Sequence, residues 1–88
     1  MLLIVCRLIE YIFVNINEMA NDIKTRFGKN VRKYRKILGV SQEELAFISG
    51  LHRTYISSVE NGRRNVSLEA IEKLTDALKI DINKLFDE

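Results

Sequence analysis

Between Arg53 and Ser58 the chain reads Arg-Thr-Tyr-Ile-Ser-Ser, a dense run of hydrogen-bonding side chains around one apolar residue. Arginine carries a planar fork of N–H donors that fits the O6 and N7 acceptors of guanine, and threonine can meet a base edge or a thymine methyl. Tyr55 adds a hydroxyl and a ring suited to phosphate, sugar or thymine methyl, and Ser57 and Ser58 add short hydroxyls. The segment Arg63-Arg64-Asn65-Val66 that follows is a basic loop. His52, just before the run, either donates to a phosphate near a helix N-terminus or is an exposed turn residue. The chemistry available here is reversible recognition of an anionic, base-bearing surface.

Covalent chemistry has no comparable support. One histidine and one cysteine (Cys6) exclude an internal disulfide, a multi-cysteine zinc site and a histidine-based metal cluster. No Ser/His/Asp set and no phosphate-binding glycine loop occurs, and Glu43 and Glu44 are first-turn acids favoured by a helix dipole rather than an acid–base pair. We therefore expect no enzyme, no metal, no cofactor and no small-molecule ligand. With 88 residues, 47% of them apolar and 30% charged, the chain has room for one small domain. Without disulfide or metal, such a domain depends on well-formed helices and a partner subunit. Lone Cys6 suits a reducing, cytoplasmic compartment.

The elements that must position these residues are helical. A first helix is expected from Asp22 to Leu38, with Phe27, Val31, Tyr34 and Leu38 on one face and Gly39 as its left-handed stop. Gly28 inside it calls for close packing or for backbone approach to a ligand. Ser41 and Glu44 form a capping box for a second helix ending near Ile48, with Leu45 and Ala46 inward. After a turn at Gly50, a third helix runs from Arg53 to Glu60, with Ile56 and Val59 inward and Asn61-Gly62 as its stop. Ser67 caps a fourth helix striped by Leu68, Ile71, Leu74 and Leu78. Asp81 is expected to cap a fifth over Ile82 to Phe86. The fold is all-α. Small Ala46, the bend at Gly50 and apolar Leu45, Leu51, Ile56 and Val59 set the second and third helices at a fixed angle. This is a helix-turn-helix, whose second helix enters the major groove.

Charge is segregated along the chain. Lys24, Arg26, Lys29, Arg32, Lys33, Arg35 and Lys36 follow one another with no acid between them, within a net charge of only +2. The run is either a solvated helix face or the side from which a polyanion approaches. Residues 1–18 are a separate apolar extension. Interrupted by Arg7 and Glu10, it is too short and polar for a membrane span and lacks the layout of a signal peptide. Strand and helix both remain open for it. It is a packing or dimerisation element, a membrane-surface anchor, or upstream translation before a working start at Met19; residues 19–88 form the domain.

The segments SQEELA (Ser41 to Ala46), SGLHRTYISSVENG (Ser49 to Gly62) and RRNVSLEAIEKLTDALKIDINKLF (Arg63 to Phe86) resemble the Cro/C1-type (XRE) helix-turn-helix regulators of phage and bacteria. Within that family, RTYIS followed by the E-x-G-x-RN-x-S/T-L pattern is similar to the small controller proteins of restriction–modification operons. The resemblance implies a five-helix, lambda-repressor-like domain acting as a homodimer on a palindromic operator in double-stranded DNA. It places base reading on Arg53, Thr54, Tyr55 and Ser58, with Ser57 on the same face. It puts Gln42, Asn61, Arg63 and Arg64 on the DNA backbone, with His52 beside them, and implies a structural ion pair between Arg35 and Glu60. The apolar surplus at Ile80, Ile82, Leu85 and Phe86 is divided between core packing and a dimer interface. An activating contact of Glu43 or Glu44 with RNA polymerase also follows from the resemblance. A phage-type repressor or an autoregulating antitoxin would share these features. A protein-interaction or membrane-surface module would instead use residues 1–18.

Overall fold

The computed structural model describes residues 4–10 and 22–88. Residues 4–10 are helical and exposed throughout, so this part of the apolar extension is not a strand. The remainder of that extension, and the boundary at Met19, lie outside the described residues. The domain itself comprises α1 (Ile23–Leu38), α2 (Gln42–Ser49), α3 (Arg53–Glu60), α4 (Leu68–Leu78) and a 3-10 helix (Ile82–Phe86).

Local chemistry sets the boundaries. Asp22 precedes α1, and its carboxylate accepts the Thr25 N–H at 2.8 Å. That backbone hydrogen bond holds the Asp22 carboxyl below its ordinary value of 3.8. Gly39, at φ 80°, closes α1 by donating to the Arg35 and Lys36 carbonyls. At the start of α2, Glu44 N–H donates to Ser41 Oγ at 3.0 Å and Ser41 N–H to Glu44 Oε1 at 3.2 Å, the full reciprocal cap. Ser67 Oγ accepts the Ala70 N–H at the head of α4. The last element departs from expectation. It is a 3-10 helix, and Asp81 at its head makes no side-chain capping bond.

The core runs through every element. Val31, Leu45, Ile56, Leu74 and Leu85 have no exposure, and Val59 has 1%. Leu85 therefore belongs to the interior of the subunit, which corrects its assignment to a dimer interface: a side chain sealed inside one chain has no surface to offer another. Phe86 is half-buried and meets Phe27 in a tilted ring contact with centroids 5.3 Å apart, and Ile80 also packs against the core. Ile82 alone of the four stands largely clear, at 55% exposure.

Gly28 is explained by packing. It is buried where α1 crosses the end of α3, and a Cβ there would collide with the Val59 carbonyl oxygen and press on that of Glu60. The two helix backbones meet with nothing between them, which fixes how α3 is presented.

Candidate nucleic-acid interface

Helix α3 is anchored by Ile56 and Val59 and turns its other side outward. At its head Arg53 and Thr54 are exposed, as a helix entering a groove by its N-terminal end requires. Arg53 Nη1 lies 3.6 Å from Glu43 Oε1 on α2, with side-chain exposures of 63% and 73%. So exposed a pair is worth little and holds Arg53 only weakly.

His52 occupies the N-cap of α3. Its Nδ1 accepts the Thr54 N–H at 3.2 Å and lies 2.8 Å from Thr54 Oγ1. An accepting Nδ1 leaves the ring proton on Nε2, so the cap and an outward N–H donor are parts of one arrangement. Of the two expectations for His52, the exposed position is the one seen here.

Farther along α3 the expected readers divide. Tyr55 and Ser57 are half-buried, and the Tyr55 ring packs partly against the core. Ser58 donates its hydroxyl proton to the Tyr55 carbonyl at 2.9 Å and accepts from Arg64 Nε at 3.1 Å. The Arg64 guanidinium lies over the Tyr55 ring, 4.7 Å from its centroid. Sequence reasoning placed Ser58 at a base edge. In the DNA-free chain its hydroxyl is engaged within the subunit, since serine tends to bond back to its own helix.

Beyond α3 the chain turns at Gly62, φ 71°. Gly62 N–H donates to the Val59 carbonyl and Arg63 N–H to that of Ser58, each at 3.0 Å. These are the paired bonds of a Schellman stop, in which a left-handed glycine satisfies the last carbonyls. They hold Asn61, Arg63 and Arg64, all exposed, directly beside α3.

Behind this surface lies the ion pair. Arg35 Nε and Nη2 donate to the two Glu60 oxygens at 2.7 and 2.9 Å, and Arg35 Nη1 donates to the Val40 carbonyl at 3.0 Å. Side-chain exposures are 12% for Arg35 and 3% for Glu60, and the hydrogen bonds that Arg35 donates to Glu60 raise the guanidinium pKa. Arg35 is thus a structural cation and not a phosphate ligand. Gln42 Nε2 reaches Glu60 Oε1 at 3.3 Å, joining the head of α2 to the same network. The exposed cations of α1 are Lys29, Arg32, Lys33 and Lys36. No helix among the described residues is long and apolar enough to cross a membrane.

The Glu43–Arg53 contact and the Ser58–Arg64 bond are among the features that escaped the sequence reading. Both join residues on different elements, and residue spacing carries no signal for either.

Comparison with known proteins agrees with this geometry. The helix-turn-helix family matches residues 31–85. The control protein C.SmaI of Serratia marcescens is 55% identical over 64 residues, covering 73% of this chain and 76% of that protein. C.BamHI of Bacillus amyloliquefaciens is 50% identical over 70 residues, covering 78% and 86%. Among solved structures, the restriction-modification controller protein C.AhdI from Aeromonas hydrophila superposes with a TM-score of 0.70 at 51% identity, covering 72% of this chain and 96% of that one. Family, relatives and a buried helix-turn-helix frame with an exposed polar face all converge: the chain belongs to the helix-turn-helix family of DNA-binding transcription regulators, of the Cro/C1 (XRE) type and similar to the restriction–modification controllers, and it is not an enzyme.

Proposed function

We propose that the protein binds double-stranded DNA as a homodimer at a roughly palindromic operator and controls a restriction–modification operon in the cytoplasm. The carrying observation is the exposed Arg53–Thr54 head of α3, set on a helix whose inner residues are fully buried. Arg53 would read a guanine edge and Thr54 a neighbouring base. His52, Asn61, Arg63 and Arg64, with the α1 cations, would hold the backbone. Gln42 would reach it from the head of α2, and Tyr55 and Ser57 would touch the groove wall. Two-fold symmetry would set the half-sites about one helical turn apart, ~34 Å. Ile82, Leu68 and Phe47 are large apolar side chains left exposed, and a second subunit has surface to cover among them. The operon assignment is supported by the likeness to the control proteins C.SmaI and C.BamHI and to the restriction-modification controller protein C.AhdI.

An activating contact with RNA polymerase falls more readily on Glu43 than on Glu44. The Glu44 carboxylate is held in the α2 cap, whereas Glu43 is released as soon as Arg53 moves to a base.

Sedimentation of the full-length protein with a duplex chosen by its own binding tests the assembly. Two chains per duplex are expected. One chain per duplex, or equal binding to scrambled duplexes, contradicts the reading.

A further inference from the structure

Ser58 lies on the outward half of α3, but its hydroxyl has no proton left to give. The O–H donates to the Tyr55 carbonyl at 2.9 Å, and the same oxygen accepts Arg64 Nε–H at 3.1 Å. A hydroxyl has a single donor, so a base acceptor would have to displace the first of these bonds. The backbone of Ser58 is engaged as well, since its carbonyl accepts the Arg63 N–H at 3.0 Å. Ser58 thus holds both the loop and the side chain that the loop carries.

For Arg64 the consequence is geometric. Its Nε is tied to Ser58 Oγ, and its Cζ lies over the Tyr55 ring, 4.7 Å from the centroid and within cation–π range. A directional hydrogen bond and a contact with the ring together restrict where the guanidinium can lie. The terminal nitrogens keep their N–H donors, and the residue is exposed. An unrestrained arginine has much rotamer freedom to lose on binding, and part of that loss is already incurred here.

We propose that Ser58 is a positioning residue: it holds Arg64 in a set orientation beside α3 before DNA arrives, and so acts on affinity through Arg64 and not through a base. This inference rests on the DNA-binding reading above.

A double-mutant cycle in the full-length protein tests it, using a duplex selected from a random pool by the wild type. Ser58→Ala is expected to weaken binding roughly two- to tenfold, the range for ordering one flexible side chain. The salt slope and the base preferences should stay unchanged. In an Arg64→Ala background the same substitution should cost nothing further, and Ser58→Thr should restore affinity. Arg64→Lys, which keeps the charge at an exposed position without the Nε edge, should behave like Ser58→Ala. In the free protein, the Arg64 Nε–H resonance should be slow to exchange with water and should lose that protection in Ser58→Ala. A Ser58→Ala loss that persists without Arg64, or a changed preference at one base position, overturns the proposal in favour of direct reading. Normal affinity in both Ser58→Ala and Arg64→Lys overturns it too. A wild type that selects no duplex overturns the DNA-binding reading itself, an outcome distinct from either.

Discussion

In the proposed function, base recognition turns on Arg53. It stands at the exposed head of α3 with only a weak tether to Glu43, so its planar fork is available to guanine. Arg53→Ala should cost roughly 1–3 kcal/mol on the selected site and relax the preference at one base position. Fluorescence anisotropy on matched and mismatched duplexes measures this, and an equal loss on random DNA would contradict base reading. Arg53 and Thr54 were legible in the sequence because Ile56 and Val59, once recognised as inward, leave the head of the helix facing out. Ser58 was not. Helical spacing puts it on the same side as Thr54, but where a hydroxyl spends its proton depends on a carbonyl one turn back and on an arginine across a turn. The cap formed by His52 could be read only as a choice between two roles, because it depends on which ring nitrogen faces the helix.

At the scale of elements, α3 is held against α1 at its C-terminal end. Gly28 lets the α1 backbone touch the Val59 carbonyl, and Gly28→Ala should destabilise the domain by about 1–3 kcal/mol, as overpacking in a tight core does. Thermal unfolding reports it; an unchanged Tm would mean that the crossing can open at little cost. The Arg35–Glu60 pair joins α1 to the last turn of α3 through two short hydrogen bonds in a nearly closed site. Arg35→Ala should cost about 3–5 kcal/mol, because it leaves the Glu60 carboxylate buried without its cation. Denaturant titration checks this, and a loss below ~1 kcal/mol would place the pair among surface bridges of little worth. These elements were largely readable. Capping residues and apolar periods gave α1 to α4 nearly to their ends, since both signals are local. The 3-10 character of Ile82–Phe86 was not, because so short a segment is shaped by how Leu85 and Phe86 reach the core.

In the whole molecule, the burial of Leu85 moves the question of self-association to the side chains that remain outside. Ile82→Asp should shift a dimer toward monomer without lowering the melting temperature of the subunit, since Ile82 is 55% exposed. Sedimentation equilibrium decides it, and an intact dimer would place the interface elsewhere, with Leu68 and Phe47 next in line. No reading of one chain's apolar periodicity could have separated Leu85 from Ile82: both lie in an apolar tail, and only the folded core shows which is enclosed. The uneven charge was plain from the sequence, and it bears on how the molecule meets DNA. In the proposed function the exposed α1 cations, with Arg63 and Arg64, would supply a salt-dependent attraction that any duplex satisfies, whereas the head of α3 would discriminate. Selection of binding sites from a random duplex pool by the full-length protein, at low and at near-physiological salt, separates the two most directly. A palindromic consensus that survives the higher salt is the predicted result. Binding that fades with salt and leaves no consensus would contradict the account, because the exposed face of α3 would then hold DNA without reading it.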